Sequence, residues 1–250
     1  MNRKNSISAI VIAKNEEKRI EKCLSALSWV DEIILVDNGS TDKTIYRSKK
    51  HNAMVVIDTI QDFSAMRNRG ASVAKSDWLL YVDADEVVSE DLAREIRKVT
   101  NDPHASAYFI SRRNFYLGHE WPTRDTMIRL IKKDALISWT GSLHEHPEIR
   151  GGVGELNEPF IHDTHRTLEE MVKKTNQWSD VEAALRFTDH HPSMVWWRFF
   201  HVMARAFWNS YVREKGWKAG TMGLVESMYQ AFSMFITYAK LWEKQQTRQS

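Results

Sequence analysis

Three apolar runs of strand length constrain this chain more than anything else in it: Ile7–Ala13 (ISAIVIA), Glu32–Asp37 (EIILVD) and Trp78–Asp83 (WLLYVD). None alternates apolar with polar residues, so each reads as a strand buried on both faces. Each ends in a polar cluster: Lys14-Asn15-Glu16, Asp37-Asn38-Gly39-Ser40 and Asp83-Ala84-Asp85-Glu86. Helical stretches fall between them. One spans about 16–27, with Ile20, Leu24 and Leu27 on one face. A second begins near Ser40 or Thr41, either of which is expected to cap it. Others cover 62–74 and 90–99, and 53–57 adds a short strand. Repeated β–α units of this kind predict an α/β fold with a doubly wound, mostly parallel sheet.

The pattern changes beyond Pro103. Residues 107–115 and 126–132 read as longer strands, 151–154 as a glycine-rich turn and 168–187 as a helix. A new segment starts at Pro192, which gives an expected division into a catalytic domain of residues 1–190 and a helical appendage of 191–250. The single cysteine, Cys23, excludes an internal disulfide framework and is expected to be a small buried residue of the first helix. Residues 1–14 carry basic side chains but no adequate apolar run before Asn15, so no secretory leader is expected and a cytoplasmic location is.

In open α/β sheets ligands bind outside the carboxyl ends of the strands, where the three polar clusters converge. Asp83 and Asp85, two carboxylates one residue apart after a buried strand, suit a hard divalent cation. Mg²⁺ or Mn²⁺ prefers a few carboxylate oxygens completed by water and substrate phosphates. Such an ion neutralises a diphosphate as it leaves.

The segments IVIAKNEE, VDNGSTDKT and AMRNRGASVAKSDWLLYVDADE, in this order and spacing, resemble family 2 glycosyltransferases of the GT-A fold across residues 7–98. The resemblance implies a Rossmann-like sheet and a nucleotide diphosphate sugar donor, expected to be a UDP-sugar. It implies that Asn15, Glu16 and the backbone of Ala13 line the nucleoside and that Asp37 accepts from the uracil N3–H. Arg67 would approach the base or diphosphate, Asp83 the ribose or metal with Ala84 beside it, and Asp85 would be the principal metal ligand. The later stretches SWTGSLHEHPE (138–148), IHDTHRTLEEMVKKTNQW and GWKAGTMGL are similar to the lipopolysaccharide-core branch of that family. That branch includes β-1,4-glucosyltransferases acting on inner-core heptose, so glucose and a lipid-linked inner-core saccharide are the expected donor sugar and acceptor. One departure stands out: Trp217-Lys218-Ala219-Gly220 occupies the place of a Phe-x-Asp-Gly type sequence.

An inverting transferase needs a general base for the acceptor hydroxyl. Glu145 in His144-Glu145-His146 is the expected base, with Asp125 and Glu120 in reserve. His144 is expected to contact the diphosphate, and His162 to complete the metal shell.

The net charge of +2 is unevenly spread: from Pro192 onward there are eight Lys/Arg against three Asp/Glu, with five of the ten tryptophans. On a helix over 194–213, Arg198, His201, Arg205, Asn209 and Arg213 form one polar stripe. Over 223–242, Glu226, Gln230, Ser233, Thr237 and Lys240 form another. Trp and Tyr with Lys and Arg is the composition of interfacial helices, which predicts peripheral contact with the inner membrane surface and no nucleic-acid partner. Packing against a twin subunit, giving a homo-oligomer, is the alternative. Neither segment is a span: arginines interrupt the first, and the second has no charge-free run approaching about 20 residues. Three other functions stay open: a protein or peptide glycosyltransferase of the same fold, a nucleotidyltransferase, and a non-catalytic nucleotide-sugar-binding scaffold.

Overall fold

The computed structural model describes residues 5–59, 62–141, 145–165 and 167–247. The chain forms two compact units, Met1–Arg113 with Asp125–His162, and Asn114–Arg124 with Asp163–Ser250. The elements run β1 (Ile7–Ala13), α1 (Ile20–Ser25), β2 (Glu32–Asp37), α2 (Thr44–Lys49), β3 (Met54–Ile57), α3 (Phe63–Val73) and β4 (Trp78–Asp83). Next come β5 (Glu86–Val87), α4 (Glu90–Asn101), β6 (Ala107–Tyr116), β7 (His119–Glu120), β8 (Asp125–Lys132) and β9 (Leu136–Thr140). Then follow β10 (His146–Ile149), β11 (Val153–Glu155), β12 (Phe160–His165), α5 (Leu168–Thr188), α6 (Trp196–Trp208) and α7 (Gly220–Thr247).

The main sheet has the order β3-β2-β1-β4-β8-β6-β12-β5, and β9 and β10 pair separately. β3, β2, β1 and β4 are parallel, whereas β8 is antiparallel to both β4 and β6. The expected α/β, Rossmann-like architecture is therefore present, with a parallel half, an antiparallel half and a long C-terminal helix. β1 explains why its apolar run is unbroken. Ile7, Ala9, Val11 and Ala13 pack with Leu24, Leu27 and Ile96 on one face. Ile10 and Ile12 pack with Met66, Leu79 and Tyr81 on the other. The parallel register sets Ala13 opposite Asp37 and Ile12 opposite Asp83, so three strand ends meet at one edge.

Local sequence fixes the helices. Asp62 caps α3 by accepting from the amides of Ser64 and Ala65, and Ser89 caps α4 by accepting from Leu92. Ser40 and Thr41 do not cap α2, which begins at Thr44. Both are engaged by Asn15 instead: its amide donates to Ser40 Oγ (2.9 Å), and its Oδ1 accepts from the Thr41 amide (2.8 Å). Asp42 Oδ1 takes over at the helix start, accepting from the Thr44 amide at 2.9 Å. Cys23 is buried on α1, as expected.

In the second unit Phe115 and Tyr116 pair with Glu120 and His119 in a β6–β7 hairpin. After α6 a π-helical turn (Asn209–Arg213) and a 3₁₀ turn (Gly216–Ala219) lead into α7. Gly223 lies so close to the chain that a Cβ there would meet the Gly216 carbonyl at 1.8 Å. The contact between α5 and α7 includes several hydrogen bonds. Tyr229 Oη donates to the Met171 carbonyl at 2.5 Å, Thr175 Oγ1 bonds Ser233 Oγ at 3.4 Å, and Lys240 Nζ reaches the Asn176 carbonyl at 2.6 Å. Its apolar core is small, formed by Ala183, Met194, Tyr238 and Leu241.

Gly70 of α3 seats the helix on β1: a Cβ there would stand 2.4 Å from Ile10 Cγ2. Overpacking of this kind costs roughly 1–3 kcal/mol. Gly70→Ala should lower the urea midpoint accordingly, and an unchanged midpoint would mean that Ile10 yields without cost.

Candidate active site

The strand ends are stitched together before any ligand is considered. The Asn38 amide donates to the Ala13 carbonyl (2.9 Å), joining β2 to the end of β1. Asn15 sits at φ +56°, in the left-handed region that Asn tolerates better than most residues. The Glu16 amide donates to Thr44 Oγ1 (2.8 Å), and the Glu16 carboxylate pairs with Arg19 at 3.2 Å. Asp37 is fully buried; its Oδ1 accepts from the Ser40 amide (2.8 Å), while Oδ2 has no hydrogen-bond partner among the described residues. A buried acceptor left open is costly, so this oxygen fits a ligand N–H.

At the end of β4 the chemistry is organised by arginines. Arg129 of β8 donates from Nη1 to Asp83 Oδ1 (3.1 Å) and from Nη2 to Asp83 Oδ2 (2.5 Å), with Glu86 Oε1 at 3.3 Å. Arg67 of α3 donates from Nη2 to Asp83 Oδ1 (3.0 Å) and to Glu145 Oε1 (2.9 Å), with a further bond from Nε to Glu145 at 3.3 Å. One guanidinium therefore ties Glu145 to the strand end. Arg67 lies over the rings of Trp139 and Tyr81, 4.9 and 5.8 Å from their centroids. Its Nη1 is buried without a partner, leaving one donor uncommitted among the described residues.

The next residue completes the reason for the R-N-x-G segment. Asn68 donates to the Trp139 carbonyl (2.9 Å) and accepts from the Trp139 amide (2.8 Å), which fixes β9 beside α3. Arg67 faces the site, Asn68 anchors β9, and Gly70 admits β1.

Burial resists ionisation of Asp83, but Arg129 and Arg67 outweigh it and hold the carboxyl well below the ordinary range. Glu86 behaves oppositely: burial pushes its carboxyl up, against the pull of Arg129 and with a further push from Asp83. Glu86 Oε2 also accepts from the Asp83 amide at 2.8 Å. Asp85, two residues beyond Asp83, approaches His162 of β12, with Oδ2 to Nε2 at 3.4 Å. Ala84 between them is buried in the core.

Among the described residues no group of three His, Cys, Asp or Glu forms a metal cage. The Asp85–His162 pair nevertheless suits a cation that keeps several waters and substrate oxygens, because such an ion needs only one or two protein donors. Asp83, also expected at the metal, has oxygens bonded by Arg67 and Arg129. Of the reserve bases, Asp125 is held by Arg112 Nε at 2.9 Å, and Glu120 is exposed in the hairpin of the second unit. His144 lies outside the described residues.

Sequence reasoning missed Arg129, Arg112 and Glu86 as members of this network. The available signal was Arg129 itself, a cation flanked by Ile128, Leu130 and Ile131 that has to find an acid if it is buried.

The glycosyl transferase family 2 model matches residues 8–151. A protein described as an uncharacterized glycosyltransferase from Rickettsia bellii (strain RML369-C) is 29% identical over 262 residues, covering 95% of this chain and 86% of its own. The lipopolysaccharide core biosynthesis glycosyltransferase LpsC of Rhizobium meliloti (strain 1021) is 22% identical over 250 residues, covering 95% and 92%. A solved structure of glucosyl-3-phosphoglycerate synthase from Mycobacterium tuberculosis, in complex with Mn²⁺, uridine diphosphate and phosphoglyceric acid, is 17% identical. It covers 73% of this chain and 78% of that one, with a TM-score of 0.45.

The carboxyl–arginine network has a definite pH signature. Asp83, depressed in the folded state, contributes stability above its unfolded pKa that is lost as pH falls through the folded value. Glu86, raised, contributes below its unfolded pKa and loses that contribution as pH rises through the folded value. Removing Arg129 takes from both acids their principal counter-charge and leaves only Arg67 and Arg112, at a cost of roughly 3–5 kcal/mol. Arg129→Met should show that loss in denaturant unfolding at pH 7 and a smaller loss at pH 4, where Glu86, whose carboxyl is raised, takes up a proton and no longer needs the arginine. An equal loss at both values would remove the electrostatic explanation.

Proposed function

The chain belongs to glycosyl transferase family 2, and from that premise we propose that it is a metal-dependent inverting hexosyltransferase using a UDP-sugar, with glucose as the sugar. The observation that carries the reading is the Arg67 bridge, which holds Glu145 within one guanidinium of the Asp83 strand end. A general base and a diphosphate site must lie this close for a single displacement at an anomeric carbon.

In this reading Asp37 Oδ2 accepts from the base, while Asn15, Glu16 and the Ala13 backbone bound the nucleoside pocket. Arg67 Nη1 supplies a donor to the diphosphate. Asp85, with His162 beside it, would hold Mg²⁺ or Mn²⁺, which when bound offsets the charge on the departing UDP. Glu145 takes the proton from the acceptor hydroxyl. That oxygen forms its bond to the anomeric carbon as the bond to the diphosphate breaks, with inversion. Asp83, clamped by Arg67 and Arg129, acts through them and through the ribose side of the pocket.

For the acceptor we propose a lipid-linked saccharide, an inner-core lipopolysaccharide sugar in the first instance. What supports this is the likeness to LpsC along nearly the whole chain and the surface of the second unit. No described helix is long and apolar enough to cross a membrane. Yet α6 has no buried residue, and Trp196 and Phe200 are 76% and 69% exposed. On α7 several apolar residues face out, Leu224, Met228 and Phe232 among them, while Glu226 and Thr237 of the expected polar stripe face in at 1% and 4% exposure. Helices joined by hydrogen bonds with their apolar faces outward are built for apolar surroundings. Arg198 lies over Trp197 and Lys218 over Trp217, pairing each exposed indole with a cation suited to anionic headgroups.

Two measurements test the reading. Calorimetry should find UDP-glucose binding that depends on Mn²⁺, with the metal-dependent part lost in Asp85→Ala. Glu145→Gln should keep donor binding while transfer falls by roughly 10²–10⁴-fold; transfer at the normal rate would remove Glu145 from the mechanism. In flotation with anionic phospholipid vesicles the wild type should rise with the lipid, and the triple change Trp196→Ala, Phe200→Ala and Trp208→Ala should leave it at the bottom. Equal flotation of both would dismiss α6 as the membrane face.

A further inference from the structure

The inward turn of the α7 polar stripe has a second consequence, inside the second unit. That unit contains an open cleft of about 580 Å³, walled by the β6–β7 hairpin, α5, α6, the π-helical turn and α7. Its size lies within the range of small-molecule sites, roughly 300–1,000 Å³. Burying Glu226 and Gln230 in a helical unit is unfavourable unless polar partners meet them, and here they meet each other, Gln230 Nε2 donating to Glu226 Oε1 at 2.7 Å.

The walls are of two kinds. Tyr116 and Trp121 pack edge to face with centroids 5.1 Å apart. Trp121 enters only because residue 216 is glycine; a Cβ there would lie 2.8 Å from its ring. Opposite in character are Arg186, Arg205, Asn209, Glu226 and Gln230, which offer hydrogen-bond donors and acceptors together. Arg186 is set by Tyr238, lying 5.0 Å from the ring centroid and donating to its hydroxyl at 3.2 Å. Part of the wall is the π-helical turn Asn209–Arg213, a departure from regular helix that recurs at functional sites.

Chemistry selects among ligands. An anion would meet Glu226 and Glu214, a cation would meet Arg186 and Arg205, and a purely apolar guest would offer none of these groups a hydrogen bond. Hydroxyl groups both donate and accept, and a sugar ring also offers a C–H face to an aromatic wall. We infer that the cavity is a saccharide-binding site of the second unit, taking an uncharged glycan, in addition to the nucleotide-sugar site of the first. This inference does not depend on which sugar the first unit transfers or on whether it transfers one.

The test uses the full chain on an array of neutral and acidic bacterial oligosaccharides, followed by calorimetry on whatever is retained. Neutral glycans should bind, with affinity unchanged by saturating UDP. Arg205→Ala, at an exposed position, and the isosteric Glu226→Gln should each weaken binding roughly tenfold or more, as expected for losing a charge-assisted hydrogen bond. Circular dichroism melting and UDP binding report whether each variant remains folded. Retention of no neutral glycan overturns the inference, as do a preference for acidic glycans, competition by UDP, or unchanged affinity in both folded variants.

Discussion

The two carboxylates at the carboxyl end of β4 are sustained by arginines that reach them from elsewhere in the chain. Asp83 and Glu86 lie side by side at the end of β4, and two like charges there would drive one another to protonate. Arg129, entering from the antiparallel half of the sheet, bonds both; Arg67, from α3, bonds Asp83 and extends to Glu145. The planar guanidinium makes this possible, since its donors are held in a fixed fork and its charge does not titrate away. An ammonium would supply the charge without the directions. Every position assigned a chemical role around β4 is therefore fixed relative to these two side chains, and Trp139 and Tyr81 fix Arg67 in turn.

The parallel half of the fold and its polar edge were legible because the signals are local. ISAIVIA, EIILVD and WLLYVD are apolar on both faces, and each ends where the structure ends the strand. The R-N-x-G segment was legible as a motif, but not its division of labour among Arg67, Asn68 and Gly70, which depends on contacts to β4, β9 and β1. Arg129 was illegible for a similar reason. Its acid partner is 46 residues away in sequence, and nothing in DTMIRLIK distinguishes an inward arginine from one at a strand edge. Ser40 and Thr41 illustrate competition: both are good capping residues by type, yet tertiary bonds to Asn15 claimed them first.

The C-terminal helices show where pattern reading has a built-in ambiguity. Helical periodicity divides a helix into two faces but does not say which face is inside; that choice comes from assuming water outside. For α7 the division into faces is itself incomplete. Met222, Tyr229, Ala231, Tyr238 and Leu241 are buried, but so are Glu226, Ser227 and Thr237, while Leu224, Met228, Phe232 and Trp242 are exposed. Turning the helix by half a revolution would bury Leu224, Met228 and Phe232 but leave Thr175, Tyr229 and Lys240 without the bonds that join α5 to α7. The hydrogen bonds decide the orientation.

A helix of this sort places two demands on its surroundings. Outside, the exposed aromatics present an apolar surface of the kind that marks an interaction site. Inside, the polar stripe requires a polar filling, since a cavity of this volume lined by arginine, glutamate and glutamine is not a place a protein leaves dry. Each demand alone could reflect an accident of packing. Together they mark the second unit as one whose outer face and inner cavity both differ from an ordinary helical packing, and the proposed lipid-linked saccharide acceptor would draw on both.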